Sequence, residues 1–160
     1  MTPLPRLLVA VYASPVAAAL ASIGAELGYR VVLVEPDVQR RDAASWAGQA
    51  VPDLTGLDGD PDLAAADVVV TDHHRDDLGV HLRDALARPV RWVGIMGNPR
   101  HEGPHVAALA ALGVGPDDVA RVHRPIGLDI GSRAPAEIAV ATLAGLLADR
   151  NGRPGGFLDR

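Results

Sequence analysis

LLVAVYASPVAAALASIGAELGYRVVLVE, residues 7–35, passes from a solid apolar run through a helical stretch to a second apolar run that ends on an acid. Leu7–Val11 and Val31–Val34 show no polar alternation, which is how strands read when both faces of a sheet are covered. Between them Val16, Leu20, Ile23 and Leu27 recur at helical spacing behind Pro15, and Gly28 stands where a glycine ends a helix. A strand, a crossover helix and a second solid strand make a right-handed parallel βαβ unit.

The same alternation continues. DVVVT (67–71) and VRWVGIM (90–96) read as buried strands, and a short fifth strand is expected around Arg121–His123. Helical patterns carry Leu78, Leu82, Ala85 and Leu86, then Val106, Leu109 and Gly113, and finally Pro135–Asp149. The expectation is an α/β fold: a single doubly wound, Rossmann-like domain over residues 1–150 with a mainly parallel sheet. Residues 151–160 read as a flexible tail in which Phe157 is the residue suited to docking, and PDLTGLDGDPD (52–62) as an acidic surface loop.

Composition narrows the chemistry. The chain has no cysteine and no lysine, all fifteen basic residues being arginine. Disulfides, thiolate metal sites, Schiff bases and a P-loop lysine are therefore excluded. Apolar residues make up 48% of the chain but aromatics only 3%, which suits helices packed closely on a sheet. A net charge of −5 with no arginine run longer than a pair argues against nucleic acid. The apolar segment after Arg6 is broken at Tyr12–Pro15 and followed by a helix and a strand, so it does not read as a leader. No run has membrane-spanning length, and a cytoplasmic protein is expected.

The turn after the first strand, YASPVA (12–17), stands where a dinucleotide-binding domain carries G-x-G-x-x-G. Tyr12 and Ser14 occupy the first two glycine positions, and Pro15 removes an N–H that would cradle phosphate. Glu35, at the end of the second strand, keeps the place of a ribose-reading carboxylate. Half of an NAD(P) fingerprint is thus present, with Ser14 free to donate to a smaller anion.

Three loops downstream of strands gather at one sheet edge, where ligands of such folds bind. They are TDHHRDD (71–77), GIMGNPRHEGPH (94–105) and PIGLDIGSRAP (125–135). They bring forward His73, Gly97, Asn98, Arg100, Gly127, Asp129, Gly131, Ser132 and Arg133. Each has a structural alternative. His73–Asp77 can begin a helix, Gly94 and Gly97 can permit close packing, and Asn98 can cap the next helix. Asp129 either brackets loop amides or reads a ligand. Ala134 is a poor cap before Pro135, which leaves first-turn N–H groups open beside Arg133.

GIMGNPRH, VVVTDHHRDDLGVHLRDAL and the long HRPIGLDIGSRAPAEIAVATLAG segment resemble the C-terminal Rossmann domain of XdhC/CoxI-type accessory proteins. The resemblance covers nearly the whole chain and is strongest over Asp67–Arg153. It carries over at Gly94, Gly97, Arg100, Pro125, Gly127, Asp129, Gly131, Arg133 and Glu137. The first turn departs from the family's Gly-Ala-Gly-His, and Ala134 replaces its usual threonine. The resemblance implies a chaperone-like maturation factor that binds molybdenum cofactor and hands it to a molybdenum hydroxylase subunit such as that of xanthine dehydrogenase, with no independent turnover. A second partner the resemblance suggests is a separate protein carrying the N-terminal domain of full-length members. Base rates favour a homodimer. The other readings are an NAD(P)- or nucleotide-binding oxidoreductase or sensor module, and a ligand-free partner-docking domain.

Overall fold

The structure is a computed structural model that describes residues 5–158. Six strands, β1 (Leu7–Val11), β2 (Arg30–Val34), β3 (Ala50–Val51), β4 (Ala66–Val70), β5 (Trp92–Ile95) and β6 (Val122–His123), pair in the order β3-β2-β1-β4-β5-β6. Every pairing is parallel, with Leu7 opposite both Arg30 and Ala66. The order reverses between β1 and β4. The crevice above their C-terminal ends is therefore the switch point at which such sheets take ligands.

The helices are α1 (Pro15–Glu26), α2 (Val38–Ala43), α3 (Leu78–Leu86), α4 (Pro104–Ala111), α5 (Pro116–Val119) and α6 (Pro135–Arg150). Strand side chains alternate between the two faces of the sheet. Leu7, Val9 and Val11 pack with Leu82, Leu86 and Leu109 on one face, and Leu8 and Val69 pack with Leu20, Leu143 and Leu146 on the other. β1 and β4 are buried along their whole length, as their unbroken apolar runs require.

The doubly wound α/β expectation holds, and the five expected strands all form. The stretch between Pro36 and Ala66, unreadable in sequence, adds α2 and β3. The acidic segment 52–62 is not simply a surface loop. Leu54 and Leu57, in a turn of 3-10 helix, are buried in the core, and their burial outweighs the polar composition around them. Phe157 does not dock; it is fully exposed.

At the N-terminal edge of the sheet, buried Asp67 takes Arg91 at 2.6 Å and Arg150 at 3.0 Å. This ties the end of α6 to β4, remote from the switch point.

Candidate functional site

At the switch point the first turn is stitched to the loop after β4. Tyr12, in the place of the first fingerprint glycine, keeps that glycine's positive φ, +78°. A non-glycine residue in this region costs roughly 1–2 kcal/mol, which surrounding contacts must offset. Those contacts are present: the Tyr12 hydroxyl donates to Asp77 at 2.7 Å, and the Arg75 guanidinium lies 4.3 Å from its ring centroid. Burial, and then the Asp77 contact, push the Tyr12 phenol well above its ordinary range, so it stays a donor. Asp77 also meets His81 Nε2 at 3.2 Å, and the His81 ring stands edge-on to Tyr12.

Ser14 serves the fold as well. Its hydroxyl caps α1 by accepting from the Ala17 N–H at 3.0 Å and donates to Thr71 Oγ1 at 2.9 Å. Thr71 Oγ1 in turn lies 3.0 Å from the carbonyls of Val11 and Tyr12, which share its proton.

Glu35, placed by sequence as a ribose reader, is turned inward and has no exposed surface. Arg75 grips both oxygens, at 2.7 and 3.1 Å, while the N–H groups of Ala13 and Asp37 donate at 2.9 and 3.0 Å. Burial alone would raise its carboxyl. The guanidinium and the two amides outweigh that and hold it below the usual carboxylate range. A carboxylate saturated in this way has no lone pair left for a ribose hydroxyl.

The end of β6 meets the loop after β5 through one arginine. Arg124 crosses from the end of β6 to donate to the carbonyl of His101 at 2.8 Å and of Asn98 at 2.9 Å. Gly97 is required there, because a Cβ would sit 2.4 Å from Arg124 Nε. His105 is buried beside Gly103 and Arg124 with its Nδ1 unpartnered. Burial, then the charge of Arg124, lower its imidazole. His73 is lowered by burial and then by the charges of His74 and Arg124. No carboxylate pairs with Arg124 among the described residues; it is a clamp on backbone carbonyls.

The 73–77 stretch does lead into a helix, with Asp77 as the N-cap residue of α3, but the Asp77 carboxylate goes to Tyr12 and His81 rather than to the first-turn amides. One smaller expectation is corrected here. Asn98 does not cap α4, whose cap position is Gly103. Its side chain folds back to accept from the Arg100 N–H at 2.9 Å.

The 124–134 loop is held by backbone against α6. Gly127 has φ +86°, and a Cβ there would lie 3.1 Å from the backbone of Ala141 and Thr142; the Leu128 N–H donates to the Ala141 carbonyl at 3.1 Å. Gly131, at φ +67°, turns the chain in open space. Ser132 bonds to Glu137 and accepts from the Ala134 N–H. Asp129 and Arg133 are exposed, and their side chains form no hydrogen bond among the described residues, as is true of the Arg100 guanidinium.

Two clefts flank this edge. One, of about 240 Å³, lies under the loop between Trp92, His123, Ile126–Leu128 and α6, where the Trp92 and His123 rings stack 4.9 Å apart. The other, of about 460 Å³, lies between the first turn and α2 and is bordered by Ser14, Arg40 and Trp46. Of the sequence-derived site residues, only Gly127 lines the first and only Ser14 the second. Arg75, Arg124, Arg40 and Trp46 went unnoticed in sequence. Tyr12 in a glycine position was the visible sign that something nearby must compensate it. Among the described residues, no group of three or more His, Asp or Glu is placed to hold a metal ion.

Fold and edge together define a doubly wound, Rossmann-like domain in which Glu35 is taken by Arg75 and Tyr12 stands in the place of the first fingerprint glycine. The chain belongs to the XdhC Rossmann domain family, whose profile matches residues 8–146. It is 34% identical over 73 residues to YqeB, an uncharacterized protein of Escherichia coli K12, a match covering 46% of this chain and 14% of YqeB. A xanthine dehydrogenase structure from Bacillus halodurans superposes with a TM-score of 0.71 at 21% identity, covering 94% of this chain and 46% of that one. The likeness to that structure carries the fold. The chain spans less than half the length of either protein.

Proposed function

We propose that this domain is a maturation factor that binds molybdenum cofactor and passes it to a molybdenum hydroxylase of the xanthine dehydrogenase or carbon monoxide dehydrogenase type. Family membership supports the reading. One structural observation carries it to residues: the 124–134 loop is fixed by backbone contacts to α6, while the charged side chains it presents, Asp129 and Arg133, are exposed and form no hydrogen bond among the described residues.

The residues present fit the pterin and phosphate of that cofactor. A carboxylate reads the paired N–H groups of a pterin edge, and arginine matches phosphate. Asp129 would take the first role, with Arg133 and Arg100 the second. The bound cofactor supplies the metal centre used later by the target enzyme. This chain holds and orients it, with no turnover of its own. The proposed unit is the 1–150 domain, acting in the cytoplasm with a molybdenum hydroxylase subunit as its partner. NAD(P) fits less well, because Glu35 is consumed by Arg75 and Tyr12 replaces the first glycine.

Gel filtration after incubation with released cofactor tests the reading. The wild type is expected to co-elute with pterin fluorescence, and Asp129→Ala and Arg133→Ala to lose it at least tenfold while melting normally. No retention by the wild type, or equal retention by both variants, overturns it.

A further inference from the structure

The smaller cleft plays no part in the proposed function. It lies beside the edge strand β6, with Ile126, Leu128 and Leu146 as apolar walls. The Trp92–His123 stack, its rings within 9° of parallel, is a further wall. That wall is fixed, because the indole lies over Gly94, where any Cβ would run into its ring. At about 240 Å³ the cleft falls short of the roughly 300–1,000 Å³ that small-molecule sites take. It suits one large apolar side chain.

The segment after α6 offers such a side chain. Phe157 and Leu158 are exposed, and of the chain's aromatic residues only Phe157 is. The segment borders the cleft at Arg153 and Pro154. At Gly155, with φ +81°, it is pressed onto the domain, and a Cβ there would lie 3.1 Å from the side chains of Ala148 and Leu128. At Gly156 a Cβ would meet nothing, so the chain has left the surface. Phe157 thus stands at most about 10 Å of chain beyond Pro154 on the cleft rim, yet rests on nothing. With Gly155 seated, a return to its own cleft would need a full reversal at Gly156.

An apolar knob and an apolar hole side by side make one face self-complementary. Under a two-fold axis each copy's knob meets the other's hole, and both contacts close at once. We propose that this face is a homodimer contact in which Phe157 of each copy enters the Trp92–His123 cleft of the other, with Leu158 covering the rim. Neither cleft is complete without the second copy. Aromatic side chains bury about 150–250 Å² each. Two such knobs and the walls they cover come to on the order of 1,000 Å², the low end of specific interfaces. The dimer is therefore a weak one, forming at micromolar concentrations and above. It does not depend on the cofactor-delivery reading, since Asp129 and Arg133 do not line the cleft.

Trp92 reports on the contact. The chain has two tryptophans, so Trp46→Phe leaves Trp92 as the sole indole. The mass of the Trp46→Phe protein by sedimentation equilibrium, and its emission, are followed from low micromolar to millimolar concentration. Both are expected to change along one monomer–dimer isotherm. Adding Phe157→Ala, at a fully exposed position, should weaken the dimer at least tenfold and leave the melting temperature of the dilute protein unchanged. Adding His123→Ala, at an exposed position in the cleft wall, should weaken it severalfold. A peptide of residues 153–160 should bind the Phe157→Ala protein saturably and change Trp92 emission, and the same peptide with Phe157→Ala should not. A monomer at every concentration overturns the proposal, as does a dimer equally strong in Phe157→Ala. So does a monomer whose Trp92 emission is altered by Phe157→Ala at every concentration, the sign of Phe157 closing on its own cleft.

Discussion

Arg75 closes on Glu35 with two contacts, 2.7 and 3.1 Å, and lays the same guanidinium 4.3 Å from the centroid of the Tyr12 ring. One side chain thus neutralises the acid that a dinucleotide's ribose would need and steadies the residue that replaced the first glycine. The acid and the first turn are thus tied together through one guanidinium.

Removing Arg75 should therefore be costly. Arg75→Met leaves a carboxylate buried with only two amide donors, and breaking a buried pair from one side costs about 3–5 kcal/mol. Glu35→Gln, which removes the charge and keeps most of the shape, should cost less, and the double variant should recover part of the loss. Urea unfolding of the four proteins measures this. A double variant that shows the plain sum of the single losses would mean that the two side chains are not coupled.

Two histidines, His105 buried and His73 half-buried, set a pH dependence. His105 and His73 are held below the ordinary imidazole value, so between about pH 6.5 and their folded values the unfolded chain binds protons that the folded chain does not. Stability should fall as pH drops through that window. Glu35, whose carboxyl is also lowered, contributes stability above its unfolded value of about 4.3 that is lost as pH falls through the folded one. Urea midpoints from pH 8 to pH 2 should show two declines. His105→Gln should flatten the upper one and spare the lower, whereas an unchanged upper slope would remove His105 as its source.

The 3.6- and strand-type periodicities were legible because burial imposes them directly. Five of six strands and the order of the major helices follow from runs such as Leu7–Val11 and from Gly28 and Gly113 at helix ends. β3 and α2 were not legible. β3 has two residues, and α2 has no buried residue and so no apolar stripe to read. Leu54 and Leu57 were hidden by the acids around them. At the edge, the connections between side chains were not legible. Glu35 is defined by Arg75, forty residues away, and Gly97 by Arg124, pairings that exist only once the sheet has formed.

Gly127 is the hinge of the 124–134 loop. Gly127→Ala places a methyl group 3.1 Å from the backbone of Ala141 and Thr142 and demands φ +86° of an L residue. Strain of roughly 1–2 kcal/mol adds to about 1–3 kcal/mol of overpacking. Gly131→Ala meets open space and should cost only the first part, and Gly156→Ala almost nothing. Thermal melts rank the three. Equal losses at 127 and 131 would show that α6 yields to the extra atom.

Arg124 and Gly97 should behave as one unit. The guanidinium holds the carbonyls of Asn98 and His101 with no carboxylate to share it, and hydrogen bonds from a charged donor contribute about 1.5–3 kcal/mol each when well shielded. Arg124 is half-buried, so roughly 2 kcal/mol for the pair of contacts is the expected loss in Arg124→Met. Gly97→Ala, with its methyl group 2.4 Å from Nε, should eject the same guanidinium and destabilise by a similar amount. Once Arg124 has been removed, the methyl group meets little, so the double variant should be hardly worse than either single one. Amide exchange should quicken in both at residues 97–103 and stay unchanged along α6. A fully additive double variant, or quickened exchange in α6, would show that Gly97 is needed for a reason other than the seat of Arg124.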